Sequence, residues 1–569
     1  MNVNNAVSFG WNRMVASVSE KRMTATKMAT LVLAASLLSG CAIRNKATVD
    51  AAPPVTAPPE SFFQGFPKRD REAARQFYKK HLELKGVSVA ASGQVSDAAL
   101  ERTYYIVSHM LAGRPDILHA MATNGTRLII IGKDQLYSDM PEYRDAPNPA
   151  YLNERVRGTG GFRVTSFGEE NLLNLLLDRY DDESISVHEF CHTIDSALGA
   201  IDPAWRGRLR KTFRDALDKG LWKNAYAGSN AAEYWAEICQ AYFDCSRVNN
   251  WNHAAIASRE QFKIYDPEGY ELVKATFNLS PENDWRYVPY QLQPSIIAPP
   301  AKFGIDPYYT KFTWAREFTV VGSDKASDEA LLKANDTIRK MFAYRHDILK
   351  ALIADGVKLV VLGHDEALTD LPDYKKAPDQ TNWDNTIRMH DYTAASKTLV
   401  VPEQNVLGTP DDPLQGKSMV IRELAKALYY VAGLRPEDPN WGKRGRDVQQ
   451  YEMRVKRLDK RFDHRLQEIY TNALAKGIWR GTPAVHDRIE YWAEGVLAYF
   501  DAAGAGDPPN DQPHPIITRE QLRSYDPDLC ALVEETTAYN GHQDWRYDVH
   551  APYVRSTEMV LHPTHQMPH

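Results

Sequence analysis

The sequence predicts an α+β fold built twice in tandem. Three observations carry that reading. Segments of the first half return in the second in the same order. Each copy holds a short aliphatic run closed by a glycine (Leu128–Ile131 before Gly132, Leu359–Leu362 before Gly363), the pattern of a buried strand. Each copy then runs into long stretches whose apolar residues recur at helical spacing, so that helices dominate its second part.

The repeat is legible residue by residue. Ser96-Asp97-Ala98-Ala99-Leu100 returns as Ser327-Asp328-Glu329-Ala330-Leu331, and Asp116-Ile117-Leu118 as Asp347-Ile348-Leu349. LIIIGKDQLYSDMPEY from Leu128 returns as LVVLGHDEALTDLPDY from Leu359; all three pairs lie 231 residues apart. Glu233-Tyr234-Trp235-Ala236-Glu237 is matched by Glu490-Tyr491-Trp492-Ala493-Glu494. Arg259-Glu260-Gln261 with Tyr265-Asp266-Pro267 is matched by Arg519-Glu520-Gln521 with Tyr525-Asp526-Pro527, and Asp284-Trp285-Arg286-Tyr287 by Asp544-Trp545-Arg546-Tyr547. A period this long marks a duplicated domain rather than a solenoid. The Pro-rich stretch Gln293–Pro300 is the natural seam. Residues 66–292 and 301–555 are therefore expected to be the two copies. Within each, a helix near Asp97 or its counterpart precedes the buried strand. In the first copy a polar extended stretch surrounds Arg157–Phe162, and long helices start near Ser184 and Ala231.

Composition bounds the function classes. The chain has 569 residues, 43% hydrophobic and 25% charged, with a formal net charge of −6. That is an ordinary globular mixture with length for two to four domains. No basic stripe appears, so a nucleic-acid partner is not expected.

The first 40 residues read as an address. Lys21, Arg22 and Lys27 precede an apolar stretch from Ala29 to Leu38, too short for the roughly 20 apolar residues a membrane span needs. Leu38-Ser39-Gly40-Cys41 resembles a bacterial lipobox, which implies cleavage before Cys41 and lipidation of its thiol. Ala42 after that cysteine matches outer-membrane sorting in a Gram-negative source, with the protein facing the periplasm or the cell surface. Residues 41–65, with Ala51-Ala-Pro-Pro-Val-Thr-Ala-Pro-Pro59, are expected to be an extended spacer. Residues 556–569, with three histidines from His562 to His569, are expected to be a disordered tail. Four further cysteines, Cys191, Cys239, Cys245 and Cys530, leave disulfides and buried free thiols equally open.

The chemistry concentrates in the first copy. His188-Glu189-Phe190-Cys191-His192 is an HExxH motif. On a helix, residues i and i+4 lie about 40° apart on one face, so two imidazoles can share one Zn²⁺. Glu189 sits beside that line, where a carboxylate can take a proton from an activated water. Ile185, Val187, Ile194 and Leu198 form the inner stripe of such a helix. A catalytic zinc needs a third ligand. Glu233, 41 residues after His192, stands far enough on for an intervening helix and a return. Glu237 follows one turn later, in reach of a histidine ligand's other nitrogen. Glu233 can equally be read as the third residue after an Asn230 cap. Asp195 either orients a ligand or pairs locally.

His188-Glu-Phe-Cys-His192-Thr-Ile-Asp195, taken with Tyr226-Ala-Gly-Ser-Asn-Ala-Ala-Glu233-Tyr-Trp-Ala-Glu237, resembles the catalytic domain of the anthrax lethal factor family of zincin metallopeptidases, which includes the Pro-Pro endopeptidases. The resemblance implies a zincin-like fold, Glu233 as the third zinc ligand, and Tyr226 as a donor to the oxyanion of the tetrahedral intermediate. It also implies that Arg157, Gly158, Thr159, Gly160 and Gly161 form an edge strand for an extended protein or peptide substrate. In the second copy Arg422-Glu423-Leu424-Ala425-Lys426 aligns on the motif, and Pro483 stands seven residues before Glu490. Neither cation suits zinc. Arg422 and Lys426 are expected to pair with Glu490 in place of a metal. The expectation is a zinc endopeptidase of the gluzincin type, anchored to a membrane by its N-terminal lipid. The rival is a non-catalytic binding or scaffolding lipoprotein that keeps a vestigial or structural zinc site.

Overall fold

The computed structural model describes residues 51–551 apart from 181–182, 224, 247–253, 255, 257, 291–294, 344, 375–396, 413, 415, 434–460, 505, 507 and 538–544. The leader, Cys41 and the tail from residue 556 lie outside the described residues.

Strand β3 (Arg127–Ile131) shows why the first sheet forms. Side chains alternate across a strand. Leu128 and Ile130 enter one apolar core, while Ile129 and Ile131 enter another on the opposite face. A strand buried on both faces belongs inside a sheet with parallel neighbours. β3 pairs in parallel with β2 (Val87–Ser92) and with β4 (Val164–Gly168), and β1 (Tyr78–Leu84) closes the far edge antiparallel to β2. The second half repeats this arrangement. β5 (Lys311–Ala315) is antiparallel to β6 (Phe318–Gly322), which is parallel to β7 (Lys358–Leu362), which is parallel to β8 (Thr398–Pro402). Leu359 and Val361 face one core and Val360 and Leu362 the other. The architecture is thus α+β with two mixed four-stranded sheets.

Helices cover the sheet face that carries Leu128 and Ile130. Helix Asp97–Met110 is capped by Ser96, whose hydroxyl accepts from Ala98 N. Helix Ile185–Ile201 (the motif helix) and helix Ala231–Tyr242 (the glutamate helix) follow, with helix Trp205–Asp218 between them in sequence. That last helix is the intervening element the 41-residue gap calls for. Matching buried hydrogen bonds recur in both halves. Trp222 Nε1 and Tyr234 Oη both donate to Asp266 Oδ2, at 2.8 and 2.6 Å. Trp479 Nε1 and Tyr491 Oη both donate to Asp526 Oδ2, at 2.9 and 2.6 Å.

The expected spacer over 41–65 ends sooner than the sequence suggests. Thr56 bridges His81 antiparallel, with N–H···O distances of 2.9 and 2.7 Å. Helix Glu60–Gln64 then buries Phe62 and Phe63 beside Phe66 and Tyr78. The phenylalanines supply the apolar area that the prolines before them lack. The extended stretch expected around 157–162 is also displaced. Regular pairing starts at Val164, and 157–161 contributes one bridge, Thr159 to Ser166. All four cysteines after Cys41 are buried free thiols. Among the described residues, no helix is long and apolar enough to cross a membrane.

Candidate metal centre

The motif helix begins at Ser184, whose hydroxyl caps Val187 N. It seats Val187, Phe190, Cys191, Ile194, Ala197 and Leu198 in the core, which turns His188 and His192 toward the glutamate helix. That helix is capped by Asn230, whose Oδ1 accepts from Ala232 N and Glu233 N at 2.9 and 3.0 Å. Trp235 Nε1 donates to Cys191 O at 2.8 Å and clamps the two helices together. The cap uses only the backbone of Glu233, so its side chain is free to reach the histidines. The cap is present, and it leaves room for the ligand reading of the same residue.

The clamp sets the geometry of the centre. His188 Nε2 lies 3.1 Å from Glu233 Oε2. His192 Nε2 lies 3.4 Å from the same oxygen and 3.2 Å from His188 Nε2. A tetrahedral ion with bonds of roughly 2.0–2.2 Å holds its ligand atoms about 3.3 Å apart. The donor set and its spacing therefore fit zinc. A second group of possible metal-holding residues, Glu183, His188 and Glu237, shares His188 but is wholly buried. The first group retains partial exposure at His192 and Glu233, as an open coordination position requires.

Electrostatics report a site short of positive charge. Burial alone would push the His188 imidazolium down, but the hydrogen bond to Glu233 and the charges of Glu237 and Glu189 raise it well above its ordinary value. Burial pushes Glu233 up, and its hydrogen bonds to both histidines more than offset that, holding it below the carboxylate range. Glu189 is raised, chiefly by burial. The Tyr226 phenol is raised by burial and by the nearby charge of Glu233. Its ring stacks on His188 at 6.3 Å, and Tyr226 is 40% exposed, at the open side of the centre.

Glu237 Oε1 lies 3.4 Å from His188 Nδ1, an ion-pair distance rather than the hydrogen bond the sequence suggests. The same nitrogen has a nearer partner that sequence reasoning missed, Gln240 Oε1 at 2.9 Å. Nothing local marks a buried glutamine as functional. Its spacing, one helical turn beyond Glu237, was the available signal.

Asp195 does not reach a ligand. Its carboxylate accepts from Trp205 Nε1 at 2.7 Å and pairs with Arg206 at 2.9 Å, bracing the next helix. Three residues past His192, its side chain leaves the motif helix on a different face.

Within the segment 157–161, Arg157 departs from expectation. It points inward, where its guanidinium pairs with Glu170 and donates to the carbonyls of Gln135 and Gly132. Alternate N–H groups of the segment are taken within the protein: Arg157 N donates to Tyr180 Oη, Thr159 N to Ser166 O, and Gly161 N to Thr165 Oγ1. The segment lies over Glu189. A Cβ at Gly160 would meet Glu189 O at 2.4 Å and His192 Cβ at 2.5 Å, so the motif helix is approached by bare backbone.

No family model matches the chain, and no curated protein matches it. One solved structure is similar. It is the Pro-Pro endopeptidase of Paenibacillus alvei, at 16% identity over 34% of this chain and 97% of that one, with a TM-score of 0.24. A likeness that faint carries no weight for activity, which rests on the geometry above.

In the second half Glu490 occupies the place of Glu233. Arg422 Nη2 lies 3.0 and 2.9 Å from its two oxygens, and Lys426 Nζ 2.5 Å from Oε1. Arg422 also binds Glu423, at 2.7 Å, and Lys417 pairs with Glu494. The expected cation pairing with Glu490 is what the structure contains.

Proposed function

We propose that the protein is a zinc-dependent endopeptidase of the gluzincin type, held at a bacterial membrane surface by lipidation of Cys41. The observation that carries this reading is the convergence of His188 Nε2, His192 Nε2 and Glu233 Oε2 at zinc-ligand spacing, with Glu189 and Tyr226 beside them. A purely structural metal needs neither of the last two.

His188, His192 and Glu233 would hold the ion. When bound, zinc supplies the Lewis acidity that polarises a carbonyl and acidifies a water. Glu189 takes the proton of the attacking water and passes it to the leaving amine. Its raised pKa suits a group that must both accept and return a proton. The Tyr226 hydroxyl, at the open side, donates to the developing oxyanion. The backbone of Gly158 and Gly160 lies close against Glu189 and steadies it between these tasks.

The two sheets of matching topology and the matched hydrogen bonds support a tandem duplication whose second copy is degenerate. The motif spacing supports kinship with the lethal factor family. Leu38-Ser39-Gly40-Cys41 supports an outer-membrane lipid anchor, which would limit substrates to periplasmic or surface proteins.

Glu189→Gln tests the enzyme reading. Wild-type protein and variant are each incubated with a proteome-derived peptide mixture, and new N-termini are read by mass spectrometry. Cleavage should fall by about 10²–10⁴-fold while zinc content and folding are unchanged. Cleavage that survives the substitution contradicts the mechanism.

A further inference from the structure

We propose that Gln240 is a positioning residue that fixes the tautomer of His188 and so reserves its Nε2 lone pair for a metal, with Glu183 holding the Gln240 amide in orientation. This rests on the zinc reading above.

Gln240 is fully buried on the glutamate helix. Its Nε2 donates to Ser184 O at 3.1 Å and to Glu183 Oε1 at 3.2 Å, and its Oε1 lies 2.9 Å from His188 Nδ1. An amide has one donating and one accepting end. The Ser184 carbonyl can only accept, so the amide nitrogen must face it. The oxygen then faces the imidazole. That oxygen can only accept as well, so His188 Nδ1 must carry a hydrogen. In a neutral imidazole the other nitrogen is then bare. That nitrogen, Nε2, is the one directed at Glu233 and His192.

The second half shows which of these groups travel with the histidine. Asn171 Nδ2 donates to Glu183 O at 2.7 Å, and Asn405 Nδ2 donates to Lys417 O at 2.7 Å, so Lys417 stands in the place of Glu183. Counted from the caps Asn230 and Asp487, Leu497 stands in the place of Gln240. Where histidine gives way to Arg422, both members of the relay are replaced. Glu237 is not diagnostic in this way, because its counterpart Glu494 persists without a histidine. A fully buried leucine fills the same space, so the fold does not itself require a glutamine there. Buried groups that set the tautomer of a ligand histidine characteristically change metal affinity by about 10–100-fold.

The test is zinc affinity by chelator competition on the full-length protein, with near-UV circular dichroism as the folding control. Gln240→Leu, the residue the second half carries, should weaken zinc binding by about 10–100-fold. Glu183→Gln alone keeps an oxygen that accepts from the Gln240 amide and leaves the Ser184 contact and the acceptor at Nδ1 in place. This variant should hold zinc within about threefold of wild type, well inside that range. Unchanged affinity in Gln240→Leu overturns the proposal. Should that variant fail to fold, a large loss in folded Glu183→Gln overturns it instead. Wild-type protein that binds no zinc defeats the enzyme reading without deciding this one. The ¹⁵N shifts of His188 then decide it. A hydrogen resident on Nδ1 with or without zinc is the expected result, and a bare Nδ1 overturns the assignment.

Discussion

In the first half Glu233 lies against two imidazoles, 3.1 and 3.4 Å away. In the second half its counterpart Glu490 lies between a guanidinium and an ammonium. The helices, the caps and the tryptophan clamp are shared: Trp235 Nε1 donates to Cys191 O at 2.8 Å, and Trp492 Nε1 to Ala425 O at 3.0 Å. What differs is where the positive charge comes from. Glu423, Glu490 and Glu494 are answered by Arg422, Lys426 and Lys417, so the second centre is neutral within itself. Glu183, Glu189, Glu233 and Glu237 gather around two imidazoles that carry charge only when protonated. The first centre is balanced by protonated imidazoles or by a bound cation, whereas the second has fixed cations built in.

The comparison can be broken most forcefully by converting one half into the other. Arg422→His with Lys426→His removes two fixed cations and restores two ligands. A second zinc per chain is expected, because even a fraction of the roughly 10–16 kcal/mol apparent for structural zinc sites exceeds any one ion pair. If the Gln240 inference holds, adding Lys417→Glu and Leu497→Gln tightens that site further. Metal analysis reads the outcome, and an unchanged zinc content would show that more than charge closes the second centre.

A smaller effect separates the halves from the other direction. Glu490→Ala takes away the carboxylate shared by Arg422 and Lys426 in a largely buried site, leaving Arg422 its pairing with Glu423, and should cost about 3–5 kcal/mol in urea unfolding. Glu233→Ala in zinc-free protein should cost less, since the imidazoles left behind can shed their protons. Equal costs would mean that Glu490 is not balancing fixed charge.

Much of this was legible beforehand because it depends on local pattern. The HExxH spacing, the helix start near Ser184, the Asn230 cap and the inner stripe from Ile185 to Leu198 place two helices and three candidate metal-holding side chains. The repeated sequence segments then supply an internal control, through which Arg422 and Lys426 were foreseeable as partners of Glu490. What escaped depends on packing across elements. β1 carries Lys79, Lys80, His81 and Glu83 among its seven residues, which blurs its alternation, and it is a strand because β2 pairs with it. Phe62 and Phe63 follow a run of prolines, yet a sheet face lies waiting for them. Arg157 and Asp195 have side chains suited to a site but turn to Glu170 and to Trp205 with Arg206. Gln240 has no local signature beyond its place one turn past Glu237, and its three-dimensional contacts and the leucine in its counterpart position are what single it out.

The central claim is that the first half holds zinc on His188, His192 and Glu233 and the second holds none. Zinc stoichiometry on chelator-free protein, measured beside His192→Ala, tests it directly. One zinc per chain, lost in the variant, is the expected result. No zinc in the wild-type protein, or one zinc that survives His192→Ala, would contradict the account.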